Sequence, residues 1–226
     1  MRVRAGTPTR EQETQYQNGD VRRIAAALLD HHSENVDVYH FVRESMLTAV
    51  PRSRDQLAME FSAADDALES IVTIAEAGAN IARLADEGVA DRRRAAVLER
   101  VVFGLAGYRR NPVREAYIEL TVNTHSGRAE TGMMDVAVDD PETLEVYECK
   151  LTNGFTQDTV NQLGDVFLSA RAEDRRCVCC IASFGTRRQL DSRVKNARIE
   201  LHEVLYYLDC DELVVLKTRP ASARLR

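Results

Sequence analysis

The chain reads as an α/β protein preceded by an all-helical N-terminal region, and three observations carry that reading. Apolar residues recur at helical spacing as far as residue 107, and after Pro112 the pattern changes to extended segments. Three of these segments follow one another, separated by HSG and by DDPET, sequences that favour tight connections. From Asp91 onward the order is then helix, three strands, helix, strand, helix.

Residues 1–19 are polar and lack apolar periodicity, so they are expected to form a flexible arm. Residues 20–90 are expected to be a helical region for oligomerisation or partner binding. Val21, Ile24, Ala25 and Leu28 recur at helical spacing and end near His31-His32, read as a solvated helix end. A second helix over 36–50 is stopped by Pro51. Ser53 with Gln56 forms a capping box, and Ser62 with Asp65 repeats it before a long helical pattern ending near Gly88. The segment 53–76 has the spacing of a helix-turn-helix, which would make the chain a DNA-binding regulator. Its second helix would begin with Asp65 and Asp66, which repel phosphate, and this favours a plain helical bundle.

Residues 91–226 make the second domain. Asp91 caps a helix closed by Gly107, with Ala95, Leu98, Val102 and Leu105 as its apolar stripe and Glu99 at the edge of that stripe. Strands are expected at 116–124, 131–139 and 144–151, followed by a helix over 157–171. The run CVCCIASF at 177–184 is apolar throughout, as in a central strand covered on both faces. A helix over 187–198, a late strand or buried segment over 199–208 and a short DELVVLK element complete the chain.

Hydrophobic residues at 44% and charged residues at 29% are those of a soluble globular protein. No apolar run is long enough to span a bilayer, and the first residues lack the apolar centre of a signal peptide, so a cytoplasmic protein with no membrane partner is expected. Five cysteines, three of them crowded at 177, 179 and 180, do not form a secreted disulfide framework and read as buried strand residues. The net charge of −6 argues against attachment to nucleic acid by bulk charge alone. Residues 1–90 carry 9 arginines and 15 acids, whereas residues 91–226 balance 21 basic against 21 acidic residues. Phosphate contacts must therefore come from local clusters, and Arg109, Arg110, Arg175 and Arg187 flank the elements of the second domain.

The most informative stretch is TGMMDVAVDDPETLEVYECK at 131–150. It places Asp135 within one strand and ends a second on Glu148-Cys149-Lys150, with a hairpin between them. Alternation puts Glu148 and Lys150 on one face and Cys149 on the other. Only three of the 30 basic residues are Lys, at 150, 195 and 217. A basic residue without special demands would here be Arg, so Lys150, compact and open to pKa tuning, reads as specified.

With these residues in hand, the chain from about 91 to 216 resembles the PD-(D/E)xK nuclease superfamily, also called restriction-endonuclease-like. That family has an α-β-β-β-α-β core on a mixed central sheet, with an Asp on its second strand and an E/D-x-K on its third. Asp135 and Glu148-Cys149-Lys150 match this signature, while Met134 stands where the family often has Pro. Glu99 and Gln162 are the candidates for the additional Glu and Gln of many members, with Gln157 as an alternative for the second.

The resemblance implies a metal-dependent nuclease that hydrolyses phosphodiester bonds, with DNA as the expected nucleic-acid partner. Such nucleases serve restriction, repair or defence against phage. Asp135, Glu148 and Glu99 would hold Mg²⁺ or Mn²⁺ with the Cys149 backbone carbonyl, a hard-oxygen set suited to those ions. Lys150 would orient the attacking water and stabilise charge growing on phosphoryl oxygens, and Gln162 would hydrogen-bond the water or Lys150. The different reading is a catalytically inactive nuclease-like protein used for binding or assembly. A homo-oligomer or a protein partner is expected through the N-terminal helices.

Overall fold

The computed structural model describes residues 2–62, 65–108, 110–121, 129–151, 154–200 and 205–221; for residue 2 and residues 115–121 and 129–132 it describes the backbone alone. In chain order the elements are β1 (Arg2–Ala5), α1 (Arg10–Tyr16), α2 (Gly19–His31), α3 (Val36–Ser45), α4 (Arg54–Phe61), α5 (Asp65–Ala82) and α6 (Glu87–Gly107). They continue as β2 (Pro112–Thr121), β3 (Ala129–Asp139), β4 (Thr143–Cys149), α7 (Gln157–Ala172), β5 (Arg176–Ala182), α8 (Arg187–Ala197), β6 (Leu205–Leu208) and α9 (Cys210–Leu213). The protein is α/β with a mixed sheet. It divides into two compact units, Pro8–Val101 and Met1–Thr7 with Val102–Arg226. No helix among the described residues is long and apolar enough to cross a membrane.

In the helical unit, α2 and α3 pack on α5 through Val21, Ile24, Leu28, Val38, Tyr39, Ile71 and Ile74, all at most 1% exposed. The approach of α3 to α5 is close enough to require glycine. A Cβ on Gly78 would lie 2.3 Å from Ser45 Oγ and 2.8 Å from the Ser45 backbone carbon.

Several expected boundaries shift here for visible reasons. The N-terminal arm is instead β1 and α1, the latter opened by a capping box between Thr9 and Gln12. Helix α3 ends at Ser45, well before Pro51, because the Met46 carbonyl is taken by Arg94 Nε at 3.0 Å rather than by a further turn. Ser53 and Gln56 do form the capping box of α4. Ser62 does not open α5 but closes α4 in the left-handed region at φ 45°. Helix α6 begins at Glu87, not Asp91, since the Asp86 carboxylate accepts the Val89 N–H at 3.0 Å while Asp91 pairs with Arg94. His32 is buried rather than solvated, its Nε2 donating to the Ala67 carbonyl at 3.0 Å.

In the sheet unit the six strands lie in chain order. β1, β2, β3 and β4 pair antiparallel in succession, whereas β4–β5 and β5–β6 are parallel. A parallel neighbour needs a crossover, and α7 and α8 supply the two. Helix α7 lays Val160, Leu163 and Val166 against Val146, Cys179 and Ile181 of the adjacent parallel strands. β4 and β5 are buried along nearly their whole length, which explains why the second reads as one apolar run. All five cysteines are buried thiols outside any disulfide, as small hydrophobes should be.

Candidate active site

The β3–β4 register can be followed from Asp139↔Leu144 to Val136↔Tyr147. At the next position the ladder gives way to a side chain, and the Asp135 carboxylate Oδ2 accepts the Cys149 N–H at 2.7 Å. A charged acceptor on a backbone donor is shorter and stronger than a neutral one, so this bond pins the last residue of β4 to β3. One residue on, the Lys150 N–H donates to the Ala182 carbonyl at 2.9 Å, which fastens the same point to β5. Lys150 Nζ then turns back to Glu148 Oε1 at 2.6 Å.

These three side chains are screened from solvent to different degrees. Glu148 is 12% and Lys150 29% exposed at the side chain. Burial pulls the Lys150 pKa down, but Glu148 and then Asp135 more than offset it, so the net shift is upward. Lys150 is thus held as an ammonium at neutral pH. It can neutralise growing negative charge or donate a hydrogen bond, but it is not a ready proton acceptor.

Among the described residues no three His, Cys, Asp or Glu side chains converge as a metal-ligating group. The pair Asp135 and Glu148 is nonetheless chemically suitable for Mg²⁺, which is commonly held by one or two carboxylates and keeps other positions for water and phosphate.

The other expected site residues fall in varied places. Glu99 lies on α6 before Val102, in the unit that does not contain Asp135, Glu148 and Lys150. The Cys149 side chain is buried and its N–H is the donor to Asp135. Gln162 is exposed on α7, five residues and about 7.5 Å along the axis from the helix start. Gln157, its alternative, is tied to the Glu200 backbone by two bonds of 2.8 and 3.1 Å.

Of the four arginines, Arg109 lies outside the described residues. Arg110 is committed to structure, pairing at 2.5 Å with the fully buried Glu145, which also accepts from Tyr147 Oη. Arg175 grips the β3–β4 hairpin through Asp139 Oδ1 and the Asp140 carbonyl. That hairpin is at the opposite end of β4 from Lys150, about 20 Å away at strand rise. Arg187, which opens α8, is stacked on the Tyr207 ring with 5.4 Å to the centroid.

Sequence reading had no way to find the Ala182 carbonyl, a contact of backbone alone. It could have found the Arg110–Glu145 pair, because Glu145 is an acid within an otherwise apolar strand and demands a partner.

No family model matches this chain, and no curated protein matches it. Among solved structures it is similar to protein VC1899 from Vibrio cholerae, at 16% sequence identity and a TM-score of 0.37. The match covers 96% of this chain and 57% of that one, so this chain spans little more than half of that protein's length.

Proposed function

We propose that the protein is a metal-dependent nuclease of the PD-(D/E)xK type that hydrolyses phosphodiester bonds, with DNA as substrate. One observation supports this reading above all. The Asp135 carboxylate and the Glu148–Lys150 pair meet where β3 and β4 part, held there by the Cys149 N–H. They do so within a helix, three strands, helix, strand order, on a mixed sheet, which suits a restriction-endonuclease-like core.

Asp135 and Glu148 would hold Mg²⁺ or Mn²⁺, with the Cys149 carbonyl as a further proposed ligand. The ion would supply a Lewis acid that acidifies water and neutralises phosphate charge. The protein's own part is positioning and electrostatics. Lys150, already cationic, faces the phosphoryl oxygens and holds the attacking water. The Cys149 and Lys150 backbone bonds keep both carboxylates from drifting as charge changes. Gln162 is proposed to hydrogen-bond the attacking water or Lys150.

Plasmid, linear and single-stranded DNA, and RNA, incubated with Mg²⁺ or Mn²⁺, form the test. Wild-type protein is expected to cut DNA, and Lys150→Ala or Asp135→Asn to lose at least about a hundredfold in rate. Asp135→Asn retains an oxygen for the Cys149 N–H, so the fold should persist with a modest loss of thermal stability, from the weaker neutral bond and the lost attraction to Lys150, while Mn²⁺ binding falls. A wild type that cuts nothing, or variants that cut equally well, would leave a binding or assembly role in place of catalysis.

A further inference from the structure

Helix α8 leaves the sheet at the same edge as Lys150. Ala182, whose carbonyl takes the Lys150 N–H, is six residues from Arg188, a reach of at most about 20 Å. The helix has a sharply divided surface. Leu190 is fully buried and Val194 packs on the core, while Arg188, Ser192, Lys195 and Asn196 are exposed. Positions 188, 192 and 195 follow i, i+4, i+7 spacing and so share one face.

This face is cationic in a domain that is not. From 187 to 198 there are five basic residues and a single acid, Asp191, whereas the rest of residues 91–226 carries 16 basic and 20 acidic residues. Asp191 is already engaged by Arg187 at 3.3 Å. Beside the face runs an open groove of about 330 Å³ lined by Arg188, Gln189, Ser192, Arg193 and Asn196. One wall is fixed, because Arg193 donates through Nε and Nη2 to the Phe155 carbonyl at 3.1 and 3.0 Å.

The groove offers guanidinium, hydroxyl and amide groups without any aromatic or large apolar side chain. A protein interface would need such an apolar centre, whereas a phosphodiester backbone is bound by this set of donors. From Arg188 to Lys195 the helix rises about 10 Å, comparable to the axial rise of about three nucleotides of a duplex strand.

We propose that the outer face of α8 is the track for the nucleic-acid backbone, gripping phosphates on one side of the bond to be cut. The proposal rests on the nuclease reading of the Asp135–Glu148–Lys150 cluster and adds the surface that presents the strand to it.

The test is binding by the cleavage-blocked Lys150→Ala protein to a short labelled duplex, in DNA and RNA arms that identify the source of the backbone. Affinity is measured across a salt series. Neutralising Arg188→Gln and Lys195→Gln together should weaken binding about tenfold and reduce the slope of log affinity against log salt by about 2. Circular dichroism checks that these exposed changes leave the fold intact. Removing two cations from the helical unit, Arg22→Gln and Arg23→Gln, should leave the slope unchanged.

Unaltered affinity and slope in the α8 pair would overturn the track, as would an equal loss in the Arg22 and Arg23 pair or no binding by the Lys150→Ala protein. If the wild type cleaves nothing yet binding depends on α8, the track stands and the catalytic reading fails.

Discussion

At the scale of single residues, ionisable groups divide by whether their partners were visible in the sequence. Glu148 and Lys150 are two apart across the end of β4, and their contact at 2.6 Å agrees with the alternation expected of an extended segment. His32 is the contrary case. Adjacent histidines at a helix end read as solvated, but the Ala67 carbonyl, far along the chain, captures one ring. Burial is the main cause that lowers the His32 pKa, with His31 adding to it and the Ala67 bond opposing. The neutral ring is therefore favoured in the folded state. Stability should be full above the ordinary value of 6.5 and fall as pH drops below it, because the unfolded chain then binds the extra proton. Urea midpoints taken between about pH 7.5 and 5 should show this decline. His32→Gln, which can still donate to Ala67 and does not titrate, should flatten it.

At the scale of elements, the strands and helices around the cluster were legible because each obeys one period over many residues. The apolar runs of β4 and β5, the stripe on α7 and the Ser53–Gln56 box are local properties. Element ends were less legible, since they depend on who takes the last carbonyl or first N–H. Arg94 ends α3 from across the helical unit, and β1 exists because β2 accepts it as a partner. Gly78 is a further contact of this kind. Alanine is the better helix former by about 1 kcal/mol, yet its Cβ would strike Ser45 side chain and backbone together. Gly78→Ala should therefore destabilise the protein by about 1–3 kcal/mol by chemical denaturation. Adding Ser45→Gly should restore part of that loss, because the backbone contact at 2.8 Å remains.

At the scale of the whole molecule, the two compact units divide after Val101 within α6 rather than at residue 90, and Met1–Thr7 belongs with the second rather than with the helices. All five cysteines are buried and none forms a disulfide. A thiol reagent such as dithionitrobenzoate should consequently react slowly with native protein and titrate five thiols in denaturant. Rapid labelling of any thiol under native conditions would contradict the burial of these side chains.

What the sequence determined by itself is the α/β class, the chain order of the elements from α6 to α8 and the acid-acid-lysine composition of the cluster, because periodicity and alternation are properties of neighbours along the chain. Tertiary structure decided which charges remain available to a ligand. Arg110 and Arg175 are spent on Glu145 and on the β3–β4 hairpin, while Arg188 and Lys195 of α8 are exposed. It also decided how the cluster is held, since the bonds from Cys149 to Asp135 and from Lys150 to Ala182 join three strands. Those contacts join residues 14 and 32 positions apart, and no local pattern encodes a partner at that range.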